Sequence, residues 1–423
     1  MKIRASEFEC NHSKLFLVLP LLSTAIGAQA ADAGFVEDST AAFTLRNFYI
    51  NRNFVSDSAT QSKAQEWSQA FILNYKSGFT QGPVGFGVDA IGMYAEKLDG
   101  GRGTRGGQLL PVHDDGRLAD DYGRLAIAGK VRLSATELKV GEWMPILPIL
   151  RSDDGRSLPQ TFRGAQITSR EIENVTLYGG QFRGNSPRND ASMEEMFLAQ
   201  KPGVTSDRFN FVGGEYTFNN KRTMFGAWNA ELKDIYRQQL IQVIHSQPVG
   251  DWTLGANIMG FIGKDEGRSL SGDLDNRTWS GLFSAKYGGH TFYVGLQKVS
   301  GQDGWMKVNG TSGGTLANDS YNSSYENANE RSWQLRHDYN FAVLGVPGLT
   351  LMNRFIKGSD VHVDALTDAK EWGRESELAY VFQYGALRDL NIKWRNSTLR
   401  RDWGTNTSFN ENRLIINYPF SLF

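Results

Sequence analysis

The sequence has one cysteine, Cys10, and it falls within the first thirty residues. A disulfide framework, thiol catalysis and a cysteine-bound metal are therefore not expected of the remainder. Beyond the N-terminus no run of eighteen apolar residues occurs, which argues against a bundle of membrane helices. Charge of either sign is not in excess: 45 basic residues face 46 acidic ones, for a formal net charge of -1. Nucleic acid is not the expected partner, because that needs a basic surface. Helical heptads are absent. The Gly-rich stretch Thr311-Ser312-Gly313-Gly314-Thr315 lacks the lysine and helix of a phosphate-binding loop, so it reads as a surface connection. The six histidines, His12, His113, His245, His290, His337 and His362, are not paired at metal-ligand spacing. No catalytic residue, cofactor or metal site is expected, and the chain reads as a non-enzyme.

What is present is glycine, 46 residues of it, and aromatics at 12%. Many short strands with that composition suit an all-β barrel or sandwich. The N-terminus resembles a secretory leader. Lys2, Arg4 and Lys14 supply positive charge, Leu15 to Leu22 is an apolar core, and Ala28-Gln29-Ala30 fits a small-x-small cleavage site. Residues 1–30 are expected to be a signal peptide and 31–423 a single barrel. The leader carries three basic and two acidic residues, so its loss takes the net charge to -2.

Period-two alternation recurs along the whole mature chain. Trp67, Gln69, Phe71, Leu73 and Tyr75 share one face of a strand, with Ser68, Ala70, Ile72 and Asn74 on the other. Trp279, Phe283 and Tyr287 oppose Thr278, Ser280 and Ser284, and Trp333, Leu335 and Tyr339 oppose Ser332, Gln334 and Arg336. Aromatics gather at strand ends, where membrane barrels place their interfacial girdles. Short turns such as Asn219-Asn220-Lys221 and Gly288-Gly289 alternate with long polar connections near 98–121, 144–164, 184–207, 301–330 and 359–373. Short turns on one rim and long loops on the other are the outer-membrane pattern. The expectation is a transmembrane antiparallel β-barrel of about 18 strands, with both termini periplasmic. Pro419 breaks the final alternation, so the last strand is expected to be interrupted there.

One long connection is dense in charge. Leu147 to Arg170 carries Arg151, Arg156, Arg163 and Arg170 beside Asp153 and Asp154. A loop this long in a compact domain usually has a function. It is expected to fold into the lumen, where its arginines would narrow the pore and select anions; otherwise it is a solvated surface loop.

Basic residues also recur on polar strand faces. Arg46 and Arg52 oppose Phe43, Leu45 and Tyr49; Lys393 and Arg395 oppose Ile392 and Trp394; Arg413 opposes Leu414, Ile416 and Tyr418. First and last strands of a closed barrel are neighbours, so these five would line one wall of the lumen. Rows of Arg and Lys favour anion passage, and the planar guanidinium suits carboxylates. Against this stands a plainer reading, in which the charges pair with carboxylates such as Glu375, Glu377 and Asp338 and merely stiffen the wall.

Several separated segments carry a family likeness: Gly34 to Arg52, Leu158 to Arg170, Glu330 to Phe341, Lys393 to Arg400 and Arg413 to Phe420. In these the chain resembles the OprD family of outer-membrane carboxylate channels. The resemblance implies an 18-stranded barrel, a monomer or loose trimer, with its third loop folded inward and no cofactor. It implies passive uptake of small carboxylates along a basic ladder, which falls here on Arg46, Arg52, Lys393, Arg395 and Arg413. The loop arginine before LPQTF is Arg156, with Asp154 as its acidic neighbour. The mature length of about 393 residues is similar to the branch for aromatic or cyclic carboxylates rather than the one for basic amino acids. The partners implied are small carboxylates and outer-membrane lipid. An outer-membrane barrel hydrolase is the alternative of another class.

Overall fold

The computed structural model describes residues 34–423, and the expected leader lies outside them. Eighteen antiparallel strands form one sheet. They are β1 Thr40–Phe54, β2 Lys63–Lys76, β3 Val84–Asp99, β4 Asp121–Leu133, β5 Thr136–Trp143, β6 Thr161–Ser169, β7 Val175–Ser186, β8 Phe209–Phe218 and β9 Thr223–Leu232. Then follow β10 Tyr236–Val249, β11 Trp252–Asp265, β12 Asp275–Tyr287, β13 His290–Ser300, β14 Arg331–Asn340, β15 Leu349–Val363, β16 Leu366–Val381, β17 Asn391–Arg401 and β18 Phe409–Ser421. Each pairs with its neighbours in sequence, and β18 pairs back onto β1, with Arg46 opposite Asn417 and Arg52 opposite Glu411. Closure removes the edges an open sheet would expose. Among the described residues there is no α-helix.

The sidedness is inverted relative to a soluble barrel. Outward residues are apolar and exposed, as with Leu125 at 61% and Leu335 at 54%, while inward ones such as Gln238, Gln242, Ser332 and Gln334 are polar and buried. Aromatics sit near both rims: Trp252 with Tyr287 and Tyr216 with Phe218 beside the short turns, Tyr49 with Trp67 and Trp333 with Phe355 beside the long loops. That is the outward apolar band and paired girdles of a membrane barrel.

The short-turn rim needs left-handed backbone. Asn219, Asn220 and Lys221 have φ of 55°, 53° and 62° in succession. Asparagine tolerates that region better than most residues.

Two expectations are corrected. The connection placed at 359–373 is a hairpin: β15 runs to Val363 and β16 starts at Leu366. Its strands rise past the barrel rim and shift register at Gly358 and Val361, so alternation fades there. The last strand is also unbroken at Pro419, which pairs with Thr44 of β1. On its other side β17 starts at Asn391, opposite Asn417, so Pro419 lies beyond the reach of that partner strand.

Candidate functional site

All five strand cations face inward. Arg395 of β17 is directly opposite Arg413 of β18, which is opposite Ile50 of β1. On β1, Arg46 and Arg52 share the inner face with the buried Phe48 and Ile50.

Each of the five strand cations has a carboxylate partner. Arg46 makes a two-pronged contact with Asp154, Nη1 at 2.7 Å and Nη2 at 3.2 Å. Arg52 and Arg413 share Glu411, at 2.8 and 2.6 Å. Arg395 and Lys393 share Glu377, at 2.5 and 3.7 Å. Of the expected partners, Glu377 lies within the row. Glu375 instead holds Arg354 of β15, an inward cation the sequence reading missed, with Nε at 2.6 Å. Asp338 holds Arg336, at 2.6 Å. Arg354 shares its face with Met352 and Ile356, so alternation alone did not mark that face as polar.

The loop 144–160 supplies the remaining cation. Leu158 is buried in one cluster with Phe48, Ile50, Ala70 and Ile72 of the inner wall. Ser157 Oγ lies 2.6 Å from Ser68 Oγ, and Arg46 Nη1 donates to the Arg156 carbonyl at 2.9 Å. Arg156 is buried at 6% exposure. Its Nε donates to the Gly107 carbonyl at 2.8 Å and its Nη1 to that of Gly155 at 2.8 Å. Among the described residues Nη2 has no hydrogen-bond partner. Among the described residues no carboxylate lies within 4.0 Å of this guanidinium. Burial, then the like charges of Arg188 and Arg413, push its pKa well down. Nearby Asp153 is held below its ordinary value despite burial, by Arg188 and then by Arg156.

The other loop arginines do not join the row. Arg151 is exposed, Arg163 lies on β6 near Glu142, and Arg170 follows that strand at the opposite rim. Seven inward cations thus gather with four carboxylates: Arg46, Arg52, Arg156, Arg354, Lys393, Arg395 and Arg413 against Asp154, Glu375, Glu377 and Glu411. The surplus is positive.

A second loop also reaches the row, and nothing in the sequence announced it. In loop 301–330, Tyr321 Oη donates to Glu377 at 2.8 Å, and the Arg413 Nη2 donates to Asn322 Oδ1 at 2.7 Å. Close by, burial pushes the carboxyl of Asp319 up to about 7, and Glu326 adds to this while Ser324, Lys307 and Arg354 oppose it. The folded chain therefore keeps a proton that the unfolded chain releases near 3.8, and stability falls as pH rises from about 4 to about 7. Asp319→Asn is expected to flatten that slope. Unfolding midpoints in detergent from about pH 5 to about pH 8 would test it; an unchanged slope would exclude Asp319 as the source.

No cluster of three or more His, Cys, Asp or Glu suited to a metal occurs among the described residues. His290 and His337 do meet, with nitrogens 3.0 Å apart, stacked with Phe292 on the outward face. That places them away from the lumen.

A closed 18-stranded barrel with an apolar exterior, two aromatic girdles and a charged lumen defines an outer-membrane channel protein. Residues 33–422 match the family described as outer membrane porin, OprD family, and the chain belongs to it. It is 64% identical over 401 residues to the porin-like protein GalP of Pseudomonas putida, covering 95% of this chain and 96% of that one. A BenF-like porin from Pseudomonas fluorescens has a crystal structure that superposes with a TM-score of 0.91, at 68% identity, covering 92% of this chain and 100% of that one. The crystal structure of OccK2 (OpdF) from Pseudomonas aeruginosa in complex with glucuronate gives 0.86 at 62% identity, covering 92% and 100%. These relatives are porins, not enzymes, and the family with its barrel fold implies the outer membrane.

Proposed function

We propose that this porin takes up small carboxylates, ring-bearing ones above all, past a constriction at Asp154 and Arg156 and along the row Arg46, Arg52, Arg413, Arg395 and Lys393. The observation that carries this is Arg156: a buried guanidinium with, among the described residues, no carboxylate within 4.0 Å and one donor nitrogen without a hydrogen-bond partner. A buried charge without its counterion favours an anion beside it. The positive surplus of the row extends the same preference along the wall, and many half-neutralised arginines let a solute leave as well as enter. It also disfavours basic amino acids. The relative crystallised with glucuronate, a cyclic carboxylate, fits this reading.

In this reading loops 144–160 and 301–330 narrow the lumen from the extracellular side, and the short turns and both termini lie in the periplasm. Residues 1–30 serve as the export leader, and the barrel works as a monomer or a loose trimer. The test is reconstitution of the purified chain in planar bilayers with a salt gradient and a panel of carboxylates, amino acids and neutral sugars. Anion-selective reversal potentials and current block by carboxylates are expected. Cation selectivity, or equal block by sugars, would refute the reading.

A further inference from the structure

Loop 301–330 is rooted at both ends and polar at its tip. At one root Trp305, Met306 and Val308 are buried in a cluster with Phe261 and Met259 of the wall. At the other, Tyr325 is fully buried, and its carbonyl accepts from Gln297 Nε2 at 2.7 Å. A side chain at Gly358 would meet Glu330 Oε1 at 1.9 Å, so that root lies flush on β15.

The tip makes contacts of a different kind. Tyr321 N donates to Glu375 at 3.0 Å. The Tyr321 carbonyl and Asn322 Oδ1 both accept from Arg413 Nη2, at 3.0 and 2.7 Å, and Asn322 Oδ1 accepts from Arg52 Nη2 at 3.4 Å. The guanidinium of Arg395 lies over the Tyr321 ring at 3.9 Å, and that of Arg354 at 4.8 Å. A six-membered ring among guanidiniums, with two oxygens on one more guanidinium, is what a ring-bearing carboxylate would present to the same wall.

We propose that Tyr321–Asn322 is a built-in ligand mimic occupying the middle of the cationic row, and that a ring-bearing carboxylate binds there by displacing it. The solute's ring takes the place of the Tyr321 ring beside Arg395 and Arg354. Its carboxylate takes the Arg413 and Arg52 donors released by the Tyr321 carbonyl and Asn322. Acyclic carboxylates gain only the second half of this exchange, so the mimic discriminates by ring. This rests on the carboxylate reading above and adds a gate to it.

The contacts are reversible and not covalent, so the mimic can be removed or locked. Apparent affinity scales with the fraction of time the site stands open. If the tip is withdrawn about a tenth of the time, its loss tightens binding about tenfold. Sodium benzoate and sodium acetate serve as probes, read as current block of the full chain in planar bilayers. In Tyr321→Ala, benzoate block is expected to tighten severalfold and acetate block to change little. Asn322 Nδ2 lies 2.8 Å from Ser397 Oγ, so the pair Asn322→Cys and Ser397→Cys offers a lock. Oxidation, verified by loss of free thiol, is expected to abolish benzoate block, and reduction of the same preparation to restore it. Benzoate block that survives the closed disulfide overturns the proposal. So does weaker benzoate block in Tyr321→Ala, since the ring would then be a wall of the site and not its occupant. Absence of anion selectivity in the unmodified channel would instead refute the carboxylate reading itself.

Discussion

Replacing Arg156 with glutamine is expected to lower carboxylate block and uptake by about 10- to 100-fold, and to shift the reversal potential toward cations. A hydrogen bond to a charged group contributes about 1.5–3 kcal/mol, and each 1.4 kcal/mol is about tenfold. Arg156 belongs at the upper end, because among the described residues no carboxylate lies within 4.0 Å of it, whereas each of the five strand cations has one. Glutamine keeps a donor near the Gly107 carbonyl, which accepts from Nε at 2.8 Å, so the loop retains part of its anchorage. The exposed Arg151, on the same loop, is the control: Arg151→Gln should change neither quantity measurably, since an exposed charge is screened. Liposome swelling with benzoate and bilayer reversal potentials would measure both variants. Equal behaviour of the two would show that the loop's one buried guanidinium does not set anion preference.

The barrel was legible because a membrane wall imposes its period on every strand. Arg46, Arg52, Lys393, Arg395 and Arg413 could be placed on the lumen side by parity alone, since a one-residue slip would turn each toward lipid. Their neighbours in space followed from closure, which brings β18 beside β1. Their countercharges were partly legible by the same rule. Glu411 lies two residues before Arg413, hence on the same face, and could have been named from the sequence. Asp154 could not be assigned to Arg46 by any period, because a loop has none. Loop 301–330 was further out of reach: Asn322 meets Arg52 across 270 residues and Arg413 across 91. The hairpin at 363–366 was lost for the opposite reason. Its strands extend beyond the barrel rim, where no bilayer enforces alternation and the register shifts between Gly358 and Val361.

Glu411→Gln is expected to separate stability from selectivity, moving them in opposite directions. Glu411 is buried at 1% exposure between Arg413, itself at 2%, and Arg52. Removing one partner of a buried ion pair costs about 3–5 kcal/mol, because the remaining charge is left uncompensated. Here two guanidiniums lose their shared acid, and glutamine can accept from only one of them well. The unfolding midpoint in urea from detergent micelles should fall accordingly. Meanwhile the row's positive surplus grows by one charge, so anion selectivity of the folded channels should rise. Pairing the change with Arg413→Gln removes the stranded charge and should recover much of the lost stability, as neutral replacement of both partners commonly does. It should also return selectivity toward the starting value. If Glu411→Gln instead lowered anion selectivity at unchanged stability, the carboxylate would be part of the solute's path and not a brace for the arginines.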